Sequence, residues 1–92
     1  MAVTILVPGA LRGEIDGRSQ VDVDAHGTLA EILGELDARW PRLARRIHDE
    51  RGEIRRYVNV YVDGEDVRRL DGLATPVGVN AEVQILPSVA GG

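Results

Sequence analysis

The chain has 92 residues and a formal net charge of −4, and 43% of its residues are hydrophobic. This length suits one domain with one modest core. No apolar run is long enough to span a bilayer, and no basic segment followed by an apolar stretch begins the chain. Nucleic-acid binders are usually basic, so the acidic balance argues against that class. We expect a single cytoplasmic domain that binds neither membrane nor nucleic acid.

Two residue types are missing, and their absence excludes several chemistries. The chain has no Cys, which rules out disulfides, thiolate catalysis and metal sites built on thiolates. All eleven basic side chains are Arg, so no lysine amine is present for a Schiff base or as an acceptor for self-conjugation. A metal site needs at least three convergent ligands, and His26 and His48, the two histidines, are predicted to be solvent-exposed. We therefore expect no metal.

The first 40 residues predict a hairpin followed by a helix. Alternating Val and Ile in residues 3–7 and alternating Val in residues 20–24 predict two strands, with a turn flanked by Gly13 and Gly17. Thr28 and Glu31 match a capping box at a helix start. The apolar face of that helix has helical spacing and consists of Leu29, Ile32, Leu33, Leu36 and Trp40.

Pro41 should end the helix at Trp40, because a residue before proline is disfavoured in helical geometry. A short second helical turn anchored by Leu43 and Ile47 is expected next, followed by a charged loop over residues 48–53. Residues 57–62 then alternate as a strand.

The C-terminal third predicts two further strands. Asp63-Gly64 is a turn signal, and a short strand around Val67 is expected after it. Residues 70–80 should be irregular and can include one helical turn. The last strand, residues 82–86, is expected to end at Pro87, which lacks the N–H that a ladder uses.

The order of these elements predicts a two-layer α+β fold. One main helix must bury its apolar face against a mixed sheet of four to five strands. A crossover helix between an early hairpin and later strands allows the first and last strands to pair in parallel at the centre, which is the β-grasp architecture. We predict a β-grasp domain over residues 1–87 and a flexible C-terminal tail over residues 88–92.

Several surface features have two interpretations. Tyr57 and Tyr61 share one strand face, opposite the valines, and are equally well read as interface residues or as half-buried by their neighbours. The carboxylates form a possible acidic stripe that is either a solvated edge or a docking surface for a basic partner; they are Glu14, Asp16, Asp22 and Asp24. The pairs Arg55-Arg56 and Arg68-Arg69 are interpreted as solvated residues of strand ends or loops.

The C-terminal segment is the sharpest functional feature. Ser88-Val89-Ala90-Gly91-Gly92 is uncharged and small, and it reaches roughly 15–18 Å when extended. Terminal glycines leave no Cβ beside the α-carboxylate, so the segment could enter a narrow channel of another protein. On composition alone, a frayed end or a cloning scar explains it equally well.

The chain resembles the MoaD/ThiS family of ubiquitin-like sulfur carriers. The resemblance covers essentially the whole chain and is most specific in four segments, which are Val58-Asn59-Val60-Tyr61-Val62, Asp63-Gly64-Glu65-Asp66-Val67, Gly72-Leu73-Ala74-Thr75 and Ile85 to Gly92. These segments are most similar to the actinobacterial members that serve cysteine biosynthesis. Many members have an Asp-Gly-Asp turn before the last strand where this chain has Val79-Asn80-Ala81, and Asn80 can also serve a turn.

The resemblance implies a chemistry centred on Gly92. An ATP-dependent, E1-like activating enzyme adenylates the Gly92 carboxylate, and a sulfur donor converts it to a thiocarboxylate, while Gly91 provides clearance. The protein itself would bind no cofactor and need no active site of its own. A sulfur-accepting synthase, similar to cysteine synthase, would act downstream. The expected partner-binding residues are Tyr57, Tyr61, Leu86, Pro87, Val89 and Ala90.

Other functions remain open at this point. A ubiquitin-like modifier joined to target lysines through Gly92 would use the same tail and the same activation. A β-grasp interaction module with an inert tail is the third hypothesis, and a free-standing enzyme is the fourth. Within the carrier hypothesis, cysteine biosynthesis is favoured over thiamine, molybdopterin or a sulfur-containing secondary metabolite.

Overall fold

The computed structural model describes residues 2–87, so Met1 and residues 88–92 lie outside the described residues. Seven strands are present in this range: β1 (Val3–Leu6), β2 (Gln20–Val23), β3 (Gly27–Thr28), β4 (Val58–Val62), β5 (Glu65–Asp66), β6 (Pro76–Val77) and β7 (Glu82–Pro87). Two α-helices, α1 (Leu29–Arg39) and α2 (Pro41–Ile47), lie between β3 and β4. Short 3-10 helices span Gly9–Ile15, Val67–Arg69 and Gly72–Ala74.

The main sheet has five strands in the order β2-β1-β7-β4-β5. β1 and β7 are parallel neighbours at its centre, and the β1–β2 and β4–β7 pairs are antiparallel. A second, two-stranded sheet pairs β3 with β6. The predicted β-grasp topology, with the first and last strands parallel at the centre, is therefore confirmed.

Helix α1 begins as the sequence predicts. The Thr28 hydroxyl accepts a hydrogen bond from the Glu31 N–H, and the Glu31 carboxylate accepts one from the Thr28 N–H, which completes the capping box. Trp40 ends the helix, and Pro41 opens α2 at a position where its missing N–H costs nothing. The core between the helices and the sheet is formed almost wholly by aliphatic side chains, among them Ile5, Ile15, Leu29, Ile32, Leu36, Leu43, Ile47 and Ile85.

Some local predictions are wrong. The segment before β2 is a seven-residue 3-10 helix rather than a simple turn, because Leu11 and Ile15 are four residues apart and both reach the core. The turn itself is Asp16-Gly17, where both residues have positive φ. The short strand expected around Val67 is β5, but it ends at Asp66: the Asp66 carboxylate accepts the Arg68 N–H and starts a 3-10 turn that buries Val67.

The two-stranded sheet of β3 and β6 was also not predicted: β3 lies at the expected helix start, and β6 lies within the segment predicted as irregular. The backbone turn before β7 does use Asn80, which has a φ of 64°. His26 is exposed as expected, but His48 is half-buried, because residues 48 and 54 form a β-bridge that closes the loop between them.

Candidate functional site

The last strand, β7, is the central strand of the main sheet and ends at Pro87, the last described residue. It pairs with β1 on one side and with β4 on the other. The ladder with β4 continues to its last pair, Val58 and Pro87. The ladder with β1 ends at Gln84, so Leu86 and Pro87, the last described residues, are held by β4 alone.

Pro87 belongs to β7, although the sequence predicted that the strand ends before it. In an antiparallel ladder, hydrogen-bonded and non-hydrogen-bonded residue pairs alternate. The Asp63 N–H donates to the Glu82 carbonyl, so counting from this pair identifies the hydrogen-bonded pairs of β4 and β7. By that alternation the Asn59–Leu86 pair is hydrogen-bonded and the Val58–Pro87 pair is not. The N–H that proline lacks would have pointed away from β4, so proline is tolerated at this position.

The outer face of the sheet surrounds this exit point. Alternation turns Val83 and Ile85 of β7 into the core and leaves Gln84 and Leu86 on the outer face. Tyr61 lies between Gln84 and Asp66 in the register, half-buried on this same face. We name the outer-face residues Leu6, Asn59, Tyr61, Gln84 and Leu86 the docking face.

The predicted partner-binding residues are only partly brought together. Leu86 and Tyr61 lie on the docking face, and Leu86 is 37% exposed. Pro87 is exposed at the end of β7. Tyr57 precedes β4 instead of belonging to it and is 60% exposed. Val89, Ala90, Gly91 and Gly92 lie outside the described residues, and so does the predicted flexibility of their segment.

A shallow groove borders the exit of the chain on the β1 side. It has a volume of about 270 Å³ and is lined in part by Leu6, Arg12, Gln84 and Leu86. Arg12 is fixed there because its Nε donates to the Val7 carbonyl at 3.1 Å. The groove is an extension of the docking face.

Two arginines have roles that the sequence interpretation missed. Arg55 Nε donates to the Arg45 carbonyl at 2.7 Å and so satisfies an end carbonyl of α2. The Arg68 guanidinium donates to Asn59 Oδ1 and to the Val58 and Arg55 carbonyls. Neither is a merely solvated side chain. The sequence of an Arg-Arg pair does not indicate whether an arginine binds backbone carbonyls or is only solvated.

The acidic stripe is divided by the fold. Glu14 approaches the guanidinium groups of Arg42 and Arg46 at 3.8 and 3.9 Å, whereas Asp22 accepts the hydroxyl of Thr4. Glu14 thus lies beside the arginines of α2, whereas Asp22 lies on the β1–β2 hairpin. Within residues 2–87, no group of three His, Cys, Asp or Glu side chains is arranged to hold a metal ion. In the same range, no helix is long and apolar enough to cross a membrane.

The architecture and the exit point together define a ubiquitin-like protein of the β-grasp class. The chain belongs to the ThiS family, whose model matches residues 5–92. It is 38% identical to the sulfur carrier protein CysO of Mycobacterium tuberculosis over 94 aligned positions, which cover 100% of both chains.

Two further relatives support this placement. The chain is 39% identical over 70 residues to the small archaeal modifier protein 3 of Haloferax volcanii, covering 76% of this chain and 75% of that protein. It superimposes with a TM-score of 0.88 on a chain of the Amycolatopsis orientalis BexX/CysO complex, at 36% identity, covering 99% of this chain and 100% of that one.

Proposed function

We propose that this protein is a cytoplasmic sulfur carrier that acts through the carboxylate of Gly92. The observation that carries the proposal is the position of β7. A central strand of a β-grasp sheet leads directly into Ser88-Val89-Ala90-Gly91-Gly92. The full-length identity to a sulfur carrier protein supports the same function.

The chemistry divides between this chain and an activating enzyme. A carboxylate oxygen of Gly92 attacks the α-phosphorus of ATP, and pyrophosphate leaves. A hydrosulfide ion then attacks the acyl carbon through its sulfur, AMP departs with one of the original oxygens, and the S–H proton is released to solvent. The product is a thiocarboxylate on Gly92, which serves as the sulfur source of a downstream synthase that makes cysteine.

The carrier contributes reach and recognition in this scheme, and it is a protein cosubstrate without an active site of its own. Gly91 and Gly92 provide the clearance that a narrow channel requires. Val89 and Ala90 enter the same channel of the activating enzyme and contact its walls. The docking face, with Pro87 and the exposed Tyr57, binds the activating enzyme outside the channel. ATP is bound by that enzyme and not by this chain.

Deleting Gly92 tests the proposal. The deletion shortens the arm by roughly 3.3–3.6 Å, and a displacement of this order is enough to cost about 100-fold in rate. ATP–pyrophosphate exchange with the activating enzyme of the same organism should fall by at least that factor. Gly92→Ala retains the length and should impair exchange through its added Cβ, whereas Ser88→Ala serves as the matched control. Full exchange by the shortened protein would contradict the carrier function.

A second candidate function has its own observation, the 39% identity to an archaeal modifier protein. The two functions differ in the acceptor of the activated Gly92, which is sulfur for a carrier and a protein amine for a modifier. Intact mass spectrometry of the protein from its host distinguishes them. A carrier gains the mass of one oxygen-to-sulfur exchange, whereas a modifier appears in larger conjugates that disappear when Gly92 is deleted.

A further inference from the structure

One edge of the main sheet is completed by an arginine in place of a strand. β5 is only two residues long and pairs with Tyr61 and Val62, so the earlier part of β4 has no strand on that side. Val58 occupies a position that is not hydrogen-bonded to β7, and its N–H and carbonyl therefore point towards this open side. The Val58 N–H donates to the Arg55 carbonyl, and the Val58 carbonyl accepts from Arg68 Nη2 at 2.7 Å.

The guanidinium of Arg68 bonds two further groups at the same place. Its Nη1 donates to Asn59 Oδ1 at 2.6 Å, and its Nη2 also lies 3.2 Å from the Arg55 carbonyl. One planar fork thus joins three consecutive parts of the chain: the turn before β4, the first residue of β4 and the side chain of the second.

Arg68 reaches this position from a fixed backbone. Its own N–H donates to the Asp66 carboxylate at 2.9 Å, and the neighbouring Val67 is 1% exposed. The side chain therefore extends from a turn that is fixed on both sides. Because the guanidinium is a planar, preorganised fork, it loses less side-chain entropy for each hydrogen bond than a lysine ammonium would.

The residues held by Arg68 are the register partners of the last two described residues. Val58 pairs with Pro87, and Asn59 pairs with Leu86. We infer that Arg68 is a positioning residue for the C-terminal arm, because it holds the end of the β4–β7 ladder from which residues 88–92 leave. The inference rests on the proposed function, since positioning matters only if the Gly92 carboxylate reacts.

The geometry requires arginine in particular. The three acceptors are the Arg55 and Val58 carbonyls and the side-chain amide oxygen of Asn59. A planar group with several N–H donors can bond all three at once. A lysine ammonium retains the charge but is a point donor, so it can satisfy one or two of these groups and leaves the others open. This difference separates a positioning role from a mere requirement for positive charge.

The first part of the test measures amide hydrogen exchange in the full-length protein. Arg68→Met should speed exchange of the Asn59 and Leu86 amides by roughly two- to tenfold, the range expected for the loss of one hydrogen bond. The Tyr61 and Gln84 amides, one hydrogen-bonded pair further along the ladder, should be unchanged. Arg68→Lys should resemble Arg68→Met, and Arg39→Met, an exposed arginine at the end of α1, is the control with the same change of charge.

The second part measures ATP–pyrophosphate exchange with the activating enzyme. Arg68→Met should lower kcat severalfold and change KM much less, since Arg68 lies outside the docking face and contacts only Asn59 of it, whereas the placement of the carboxylate is loosened. Full rescue by Arg68→Lys would overturn the inference in favour of a simple charge effect. A raised KM without altered hydrogen exchange would overturn it in favour of direct contact with the enzyme.

Two remaining outcomes also decide against the inference. Faster exchange throughout the protein, with a lower melting temperature, would make Arg68 a general stability residue. Faster exchange at the ladder end with normal kcat would show that placement of the arm does not depend on it. If the parent protein is not adenylated at all, the proposed function fails. The hydrogen-exchange measurement still decides whether Arg68 holds the end of the β4–β7 ladder.

Discussion

Single side chains order the loop that follows α2. Asp49 Oδ1 accepts the Arg51 N–H at 2.9 Å and the Glu53 N–H at 3.0 Å. The hydrogen bond from Glu53 is the largest cause that lowers the pKa of Asp49 below its ordinary value, and nearby Arg51 and Arg55 lower it further. The ionised carboxylate is therefore the form that the folded loop prefers.

The Asp49 contribution should depend on pH. Because its pKa is lower in the folded than in the unfolded protein, the stabilisation is complete above the unfolded value, near 4, and is lost as pH falls through the folded value. Asp49→Asn keeps an acceptor oxygen but not the charge. The stability difference between parent and Asp49→Asn, measured by urea unfolding, should therefore shrink below pH 4. Glu50→Gln is the control, and a difference that is constant with pH would contradict the expectation.

Tyr61 is the aromatic residue of the docking face. Tyr61→Ala should weaken binding to the activating enzyme by about 1–2 kcal/mol, as is common for a buried aromatic at an interface. The free energy of unfolding should fall by less, because Tyr61 is only half-buried in the isolated protein. Leu70→Ala removes another exposed apolar side chain and serves as the control. Unchanged affinity in a calorimetric titration would remove Tyr61 from the site.

At the scale of elements, α1 provides the layer that covers the sheet. Its Leu29, Ile32, Leu33 and Leu36 are buried, and the next helix adds Leu43, Ala44 and Ile47. Without this layer the valines of β4 and β7 would face water. The β-grasp sheet therefore depends on the position of α1.

Truncating one buried side chain of α1 should show this dependence. Leu33 is 3% exposed, and Leu33→Ala should lower the free energy of unfolding by about 2–5 kcal/mol. Glu35→Ala, on the exposed side of the same helix, should change it by less than about 0.5 kcal/mol. Equal effects of the two substitutions in denaturant titrations would show that Leu33 does not pack in the core.

The elements that the sequence predicted well are those with strong local signals. The capping box at Thr28, the apolar spacing of α1 and the alternation of β4 all depend on neighbours within one or two turns of chain. The 3-10 helix that buries Leu11 and Ile15 was missed, because its residues are ordered by contact with a core that local spacing does not reveal. The short β3–β6 pair was missed for a similar reason, since its partners are almost 50 residues apart in the chain.

The candidate site divides in the same way. The docking face follows from strand alternation, so Tyr61 and Leu86 could be assigned before the structure was known. Pro87 can belong to β7 because the Val58–Pro87 pair is not a hydrogen-bonded one. Which β4–β7 pairs are hydrogen-bonded depends on the register between two strands that are distant in the sequence. The contacts of Arg68 depend on β5 ending early, which no pattern around Arg68 indicates.

At the scale of the whole molecule, positive and negative charge are segregated. Residues 39–56 hold seven arginines and three carboxylates, a formal charge of +4, whereas the remaining residues hold four arginines and twelve carboxylates, a formal −8. The side chains of Arg42 and Arg46 are 82% and 58% exposed. Residues 39–56, which we call the basic surface, thus carry a net positive charge in an acidic protein, and Glu14 is a carboxylate from outside this range that lies beside them.

The basic surface should be detectable by ion exchange. At low salt and pH 7 the protein should be retained on a sulfonate resin despite its negative net charge, because the local potential decides binding at distances below a Debye length. Arg42→Gln with Arg46→Gln should elute earlier. Ala30→Glu with Ala74→Glu changes the net charge equally at exposed positions elsewhere and should elute later than the arginine variant. Identical elution of the two double variants would contradict a localised surface.

Because β5 is only two residues long, part of the β4 edge is not covered by a strand and is open to other copies of the chain. An exposed sheet edge is a template on which another chain can add a strand, and such additions lead to dimers and fibres. On the β4 side, the two edge residues Glu65 and Asp66 are acidic, and beyond them the Val58 carbonyl already holds the Arg68 guanidinium. A second copy could extend the sheet there only by displacing that arginine. The side chain that completes β4 thereby helps to keep the protein apart from its neighbours at high concentration.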